Sequence, residues 1–267
     1  MKPKANYGID SPYIIAGELI VGAVLTAAVL AAPHLLGLPA RWILLAVGFF
    51  TISSAAGMIS YSKSGKFRIR DEVLESIRWG GSETVLDIGC GLGLLLVGSA
   101  RRLTTGKAVG VDIWLPKALT GNSPKRVLDN AALEGVAERV EVVAGDARKL
   151  PFPDESFDIV VSNFVLHEMQ TGPERREMIR EVARVLKPGG RVALVDFIFT
   201  SQCVRDLIEC RLADASRARM SRFWITAITS FGTVKLYKAT GTKVAAFNPL
   251  DAESNSNARS YSSPAGE

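Results

Sequence analysis

The sequence is poor in cysteine and histidine, the residues that build most disulfide frameworks and zinc sites. Its 267 residues include three cysteines, Cys90, Cys203 and Cys210, and two histidines. No two cysteines have the C-x-x-C spacing of zinc or redox motifs, and an odd number cannot all pair within one chain. We therefore expect no disulfide framework and no metal site, and a reducing, cytosolic environment for the folded part of the chain.

The sequence also lacks a long basic tract. Its net charge is +5, but the Lys and Arg residues are scattered among acidic ones. Nucleic-acid-binding proteins usually concentrate basic residues on one face or in one stretch. We therefore expect no nucleic-acid partner, and an anionic membrane surface explains the excess of positive charge better.

Charge is almost absent from two segments near the N-terminus. Residues 13–32 contain only Glu18, and residues 42–62 contain no charged residue. Each is close to the roughly 20 residues that cross a bilayer core. Residues 33–41 contain two prolines and a glycine, which break helices. The pattern predicts a transmembrane helical hairpin within residues 1–65, with the membrane as a partner.

The flanking charges predict the orientation of this hairpin. The connecting turn contains only Arg41, and more basic residues lie outside the two spans. These are Lys2, Lys4, Lys63, Lys66, Arg68 and Arg70. By the positive-inside rule both ends face the cytoplasm, which predicts a multi-pass membrane protein. Buried helices of a larger soluble core are an alternative. A cleaved signal peptide is disfavoured, because its apolar core would be too long and a second apolar run follows.

After the hairpin, short apolar strands alternate with amphipathic helices, as in parallel α/β sheets. We predict a domain over residues 66–243, with a helix at 173–186 that ends in a Lys-Pro-Gly-Gly turn. Its strands are predicted at 84–88, 108–112, 140–144, 157–162 and 191–197. Two later runs, 223–229 and 234–238, resemble a closing hairpin. The tail, residues 244–267, is predicted to be disordered because it is rich in small polar residues.

A glycine-rich turn follows the first predicted strand, in the sequence VLDIGCGLG. Glycines at such a turn let a ligand approach the backbone closely. Gly89, Gly91 and Gly93 have G-x-G-x-G spacing, and Leu94 stands where a dinucleotide fingerprint needs its third glycine. The turn therefore disfavours NAD. Tight packing of the following helix on the strand is the alternative explanation for these glycines.

Carboxylates stand at the ends of the next two strands. Asp112 ends the second strand, where an acid can accept hydrogen bonds from both hydroxyls of a ribose. Capping of a turn is the alternative role. Gly145, Asp146 and Ala147 follow the third strand. Asp146 can accept a hydrogen bond from the amino group of adenine, while the Ala147 amide donates one to a ring nitrogen.

Four ordered motifs carry a family resemblance: VLDIGCGLG, VGVD, VEVVAGDARKLPFPDESFDIVVSNFVLHEM and RVLKPGGRVALVDF. Over residues 68–243 the chain resembles class I S-adenosylmethionine-dependent methyltransferases, in particular the small-molecule group related to ubiquinone and menaquinone methyltransferases. The resemblance implies a Rossmann-like, seven-stranded, mostly parallel sheet with helices on both faces and an antiparallel last strand. It implies S-adenosyl-L-methionine as cofactor, with the three glycines at its methionine portion, Asp112 at the ribose and Asp146 at the adenine. A membrane hairpin is not part of the usual family pattern.

The segment after the fourth strand faces the sulfonium and the acceptor in this family. His167 lies there and could accept a proton from a hydroxyl or amine. It could equally be a packing residue, because many methyl transfers need only alignment of the reacting atoms. Cys90 is expected to be a small buried filler rather than a nucleophile. Tyr61, Lys66 and Arg68 could reach the cofactor, but we favour surface or membrane-flanking roles for them.

These observations predict an enzyme that methylates a small, apolar or membrane-associated acceptor. A membrane-tethered scaffold that binds the cofactor without turnover is the alternative, and a nicotinamide oxidoreductase is disfavoured by the glycine spacing. Methylation of nucleic acid is disfavoured because residues 163–166 contain no N-P-P-Y or D-P-P-Y run. The sequence leaves open the oligomeric state and whether O, N, C or S is methylated. The predicted cofactor-binding residues are Asp87, Gly89, Cys90, Gly91, Gly93, Asp112, Ile113, Gly145, Asp146, Ala147, Asn163 and Phe164.

Overall fold

The chain begins with two long apolar helices. The computed structural model describes residues 4–115, 119–220, 225–229, 232–234 and 237–244. Helix α1 spans Pro12–Ala31 and helix α2 spans Leu38–Ser60, with a short 3₁₀ turn between them at Pro33–Leu35. Helix α2 begins earlier than the predicted span because Pro39 lies in its first turn, where proline costs no hydrogen bond.

The two helices pack closely against each other at paired glycines. A Cβ atom on Gly22 would lie 2.9 Å from the carbonyl oxygen of Gly48, so a larger residue would force the helices apart. Both helices are long and apolar enough to cross a membrane, a criterion that core helices and signal sequences also meet. Only 17% of each apolar window is buried, so the described part of the chain does not enclose them as core helices.

Helix α2 connects to the following domain without a loop. It continues through one π-helical turn, Tyr61–Gly65, into helix α3, Lys66–Glu75. The predicted domain boundary at residue 65 therefore falls inside a continuous helical run. Single π-helical turns such as this one are frequent at functional sites.

The remaining elements form a seven-stranded sheet covered by helices on both faces. The further helices are α4 Leu94–Ala100, α5 Pro124–Leu133, α6 Gly172–Val185 and α7 Thr200–Glu209, with 3₁₀ turns at Ala137–Arg139 and Leu166–Glu168. Helices α3, α4 and α5 pack on one face, and α6 and α7 pack on the other. The strands are β1 Thr84–Ile88, β2 Lys107–Asp112, β3 Val140–Ala144, β4 Phe157–Asn163, β5 Leu186–Asp196, β6 Leu212–Arg219, β7 Ile225–Thr229, β8 Gly232–Val234 and β9 Tyr237–Lys243.

The order of strands in the sheet is β3-β2-β1-β4-β5-β9-β6. Strand β9 pairs antiparallel with both β5 and β6, and the other adjacent pairs are parallel. This confirms the predicted seven-stranded, mostly parallel sheet with an antiparallel last strand. The order reverses between β1 and β4. Ligands of open α/β sheets bind at such a reversal, outside the carboxyl ends of the strands.

Two local predictions differ from the structure. The Lys-Pro-Gly-Gly segment after α6 is the irregular start of β5, where the register with β4 shifts between Phe157 and Ile159. The predicted hairpin at 223–229 and 234–238 does not close the main sheet: β7 and β8 pair separately, and β9 adds to β5. Parts of that hairpin and the predicted tail after Val244 lie outside the described residues.

Candidate active site

A cavity of about 820 Å³ opens at the carboxyl edge of the sheet. This volume lies within the range of about 300–1,000 Å³ that is typical of small-molecule sites. The predicted site residues that line it are Asp87, Gly89, Cys90, Gly91, Asp112, Ile113, Gly145, Asp146, Ala147, Asn163, Phe164 and His167. Gly93 does not line the cavity, and a Cβ atom there would lie 2.9 Å from Val127 of helix α5. Gly93 thus allows a close approach of α5, and its predicted contact with the cofactor stays a prediction.

The glycine turn after β1 is a backbone structure that larger residues would strain. Gly89, Gly91 and Gly93 have φ angles of +66°, +53° and +84°, all in the left-handed region. The amides of Gly89 and Cys90 donate to the Val111 carbonyl at 2.8 and 3.2 Å, which holds the turn against β2. Burial raises the pKa of the Cys90 thiol well above its usual value, so the thiol stays neutral, as expected of a buried filler.

The Asp112 carboxylate lines the cavity and also holds the glycine turn. Oδ2 accepts a hydrogen bond from the Gly91 amide at 2.8 Å, and Oδ1 accepts one from the Trp114 amide at 2.7 Å. The side chain of Asn122 donates to Oδ1 at 3.4 Å. A carboxylate has about four acceptor positions, so a further donor such as a hydroxyl can still bind. The turn-capping role and the predicted ribose role are therefore compatible.

Several buried polar atoms at the cavity lack a partner within the described residues, and two of them belong to predicted site residues. These are Oδ2 of Asp87 and Oδ1 of Asn163. Burial raises the pKa of Asp87 well above its usual value, although the Leu96 amide donates a hydrogen bond to it, and the Asp112 charge raises it further. Because unsatisfied buried acceptors are costly, both atoms favour a ligand with hydrogen-bond donors at these positions.

The Asp146 carboxylate is engaged in an ion pair at the rim of the cavity. Arg148 donates to both of its oxygens, with Nη2 at 2.6 Å from Oδ2. The hydrogen bond from Arg148 lowers the pKa of Asp146, so this group is ionised at neutral pH. An adenine amino group at Asp146 must therefore share the carboxylate with Arg148.

His167 lies in the 3₁₀ turn after β4 and is held by two carboxylates. Its Nδ1 lies 3.1 Å from Oδ2 of Asp196, at the end of β5, and its Nε2 lies 3.3 Å from Oε1 of Glu168. Asp196 is fully buried and also accepts from the backbone amides of His167 and Phe197. Burial opposes a charge on His167, but the hydrogen bond and charge of Asp196, with those of Glu168, outweigh it and raise the pKa of His167.

Aromatic rings surround the imidazole. The ring of Phe197 is centred 4.8 Å from that of His167, and the ring of Phe164 is centred 6.2 Å from it. Tyr61, in the π-helical turn, contacts Phe164 edge to face at 6.3 Å. Phe164 has a φ of +60°, which is rare for a bulky residue. The arrangement makes an apolar wall between the strand ends and the N-terminal helices.

An N-terminal segment, residues 4–11, packs against the domain and contributes to the cavity. The buried Lys66 side chain donates to the carbonyls of Tyr7 and Gly8 at 2.6 and 2.7 Å and lies 3.2 Å from Asp10 Oδ2. The backbone of Asn6 is held by Asn130. The preference for a surface or flanking role is therefore wrong for Lys66, which is 3% exposed and lines the cavity.

Asp196, Tyr7 and Asp10 also belong to this site, although the sequence did not predict them. Asp196 carries the same signal that identified Asp112, since it is a carboxylate at the end of a strand. Tyr7 and Asp10 carry no such signal, because they reach the cavity from a segment far away in sequence. Arg68, by contrast, does not line the cavity.

Comparison with known proteins agrees with this architecture. Residues 86–194 match the family described as "Methyltransferase domain". The chain is 35% identical over 163 residues to 27-O-demethylrifamycin SV methyltransferase of Amycolatopsis mediterranei, covering 61% of this chain and 54% of that protein. It is 41% identical over 114 residues to the ubiquinone/menaquinone biosynthesis C-methyltransferase UbiE of Pseudomonas putida, covering 42% of this chain and 41% of that protein.

Solved structures of methyltransferases share this fold. A SAM-dependent methyltransferase from Methanosarcina mazei superposes with a TM-score of 0.52 at 21% identity, covering 65% of this chain and 97% of that one. This chain spans about half or less of the length of the two curated relatives. The sheet order, the strand-end motifs and these matches together identify residues 86–194 as a methyltransferase domain, of a family whose cofactor is S-adenosylmethionine.

Proposed function

We propose that this chain is an S-adenosylmethionine-dependent methyltransferase that acts on a small, apolar or membrane-associated acceptor. One observation carries the proposal. The cavity at the strand ends is continuous with the N-terminal helices, so Asp87 and Asp112 line the same space as Ile14 of α1 and Met58 of α2. A ligand in this space contacts the predicted cofactor residues at one end and apolar helix side chains at the other.

The residues at the strand ends fit the cofactor. The unpartnered Oδ2 of Asp87 suits the ammonium group of its methionine portion, and ionic pairing would offset the cost of burying that carboxylate. Asp112 suits the ribose hydroxyls, and the backbone of the glycine turn permits close approach. Asp146 and Ala147 would bind the adenine. When bound, the cofactor supplies an electrophilic methyl group on a sulfonium.

The protein would then contribute orientation, exclusion of water and a base. Phe164, Phe197 and Tyr61 form an apolar wall that orders an acceptor beside the cofactor. For a hydroxyl or amine acceptor that displaces the half-exposed Glu168 from Nε2, His167 accepts there the proton that the nucleophile loses. The buried Asp196 at Nδ1 stabilises the imidazolium that forms. This assigns His167 as a base and Asp196 as its positioning residue.

The two N-terminal helices support an acceptor of low polarity. The described helices α1 and α2 expose many large apolar side chains, among them Ile20, Val24 and Phe49. We propose that these helices cross a membrane, with both ends and the domain on the cytoplasmic side, so that the acceptor is taken from the bilayer. The named substrates of the relatives, 27-O-demethylrifamycin SV among them, support a small-molecule acceptor.

The test is turnover. Full-length protein in membranes of its host is incubated with S-adenosylmethionine labelled in the methyl group, and labelled lipid-soluble products are identified by mass spectrometry. We expect a labelled product that disappears in the Asp112→Ala variant. Binding of S-adenosylhomocysteine without any labelled product would instead support the scaffold alternative. Displacement of bound ligand by NAD would support an oxidoreductase.

A further inference from the structure

Glu18 is a carboxylate in an otherwise uncharged helix. It is the one charged residue of α1, Pro12–Ala31, and it lines the same cavity as the strand-end residues. Ionisable residues within apolar helices are costly, and they mark binding sites or transport pathways in many membrane proteins. The contacts of Glu18 indicate what it binds.

One carboxylate oxygen is engaged and the other is not. The Ser54 hydroxyl of helix α2 donates to Glu18 Oε1 at 2.9 Å, and Ser54 is fully buried. Oε2 is buried and has no hydrogen-bond partner within the described residues. Ser54 thus fixes the carboxylate while leaving one oxygen with unused acceptor capacity. A contact between helices alone would need only the first oxygen.

Apolar side chains one helical turn away on each helix line the same cavity as Glu18. These are Ile14, four residues before Glu18 on α1, and Met58, four residues after Ser54 on α2. A carboxylate in such surroundings binds a hydrogen-bond donor strongly, because little water competes. It discriminates against a molecule of the same shape without the donor, which would leave Oε2 unpaired.

We infer that Glu18 is an acceptor-binding residue: its Oε2 accepts a hydrogen bond from a hydroxyl or amine group on a lipophilic molecule whose apolar part contacts Ile14 and Met58. Ser54 is the residue that positions it. The inference rests on the proposed function and narrows its substrate class to lipophilic compounds that carry a hydrogen-bond donor.

The test compares two probes that differ in one donor, 4-dodecylphenol and its methyl ether, 4-dodecylanisole. Their dissociation constants are measured for the full-length chain in nanodiscs, together with that of S-adenosylhomocysteine. We expect the wild-type chain to prefer the phenol by about tenfold or more, the usual effect of one hydrogen bond to a charged group. Glu18→Leu should abolish this preference, and Glu18→Gln, which keeps a neutral acceptor, should retain part of it.

Control variants separate recognition from structure. Ser53→Ala makes the same chemical change as Ser54→Ala one position away and should leave the preference at its wild-type value, whereas Ser54→Ala should reduce it. The inference is wrong if neither probe binds or if Glu18→Leu keeps the preference. It is equally wrong if Glu18→Leu weakens the binding of both probes by the same factor, as loss of a merely structural contact would. It is also wrong if the preference is lost in His167→Ala but not in Glu18→Leu.

The same samples distinguish the two proposals. Binding of S-adenosylhomocysteine without discrimination between the probes would overturn the role of Glu18 and leave the methyltransferase proposal standing. Failure of the wild-type chain to bind S-adenosylhomocysteine would overturn the proposed function itself.

Discussion

The Asp112 carboxylate connects the glycine turn to the predicted ribose position. Replacing it with alanine removes an acceptor for the ribose and also the partner of the Gly91 amide. We expect Asp112→Ala to weaken binding of S-adenosylhomocysteine by about 1.5–3 kcal/mol, the range for hydrogen bonds to charged groups. Isothermal titration calorimetry measures this change. Asp129→Ala removes an exposed carboxylate on α5 and is the matched control; equal affinities of the two variants would contradict the assignment.

The His167–Asp196 pair predicts a pH dependence of the reaction. A base works in its neutral form, and the pKa of His167 is raised. For a hydroxyl or amine acceptor the rate should therefore rise with pH, with a midpoint above about 6.5, the usual histidine value. Asp196→Asn removes the charge that favours the imidazolium, so the midpoint should move to lower pH and the maximal rate should fall. The pH profile of kcat measures both effects.

His167→Ala distinguishes a base from a packing residue. Loss of a general base lowers kcat by about 10²–10⁴-fold and leaves the affinity for S-adenosylhomocysteine nearly unchanged. A smaller loss of kcat, with weaker acceptor binding, would mean that the imidazole only shapes the pocket. If the pH profile of Asp196→Asn coincides with the wild-type profile, Asp196 does not position His167.

Lys66 attaches the N-terminal segment to helix α3. Its ammonium donates to two carbonyls of that segment, and burial lowers its pKa while the charge of Asp10 opposes this. We expect Lys66→Met to lower the free energy of unfolding by about 1.5–3 kcal/mol. Amide hydrogen exchange of residues 6–10 should become faster. Lys63→Met, an exposed change three residues earlier, should do neither; equal effects of both variants would refute the attachment.

The strands near the site were predictable because their residue types favour buried β-strands. Strands β1 and β3 have the predicted limits, since each is a short run of mostly β-branched residues that is followed directly by a glycine. Strand β6 was not predicted, because half of its residues, LADASRAR, are polar and six of the eight are exposed. Its pairing with β9 comes from the sheet edge that β9 provides. No local pattern encodes such pairing.

The two apolar helices predict how the whole chain behaves in a cell extract. Full-length protein should stay in the membrane pellet after carbonate extraction. Two spans of roughly 20 apolar residues are held in the bilayer by the hydrophobic effect, which alkaline washing does not overcome. Reporters fused to either end should lie on the cytoplasmic side, as the distribution of Lys and Arg predicts. A C-terminal reporter outside the cytoplasm, or full solubility without detergent, would show that the hairpin proposal is wrong.

The sequence alone was enough to indicate the sheet, the cofactor class and the strand-end residues. Each of these depends on a local pattern: apolar runs, glycine spacing, or a carboxylate at the end of a strand. Only the tertiary structure brought Asp196 to His167, Lys66 to residues 7–10, and Glu18 to Ser54 at the far end of the same cavity. These contacts join residues 29 to 59 positions apart, so they depend on how helices and strands pack, and packing leaves no periodic signal in the sequence.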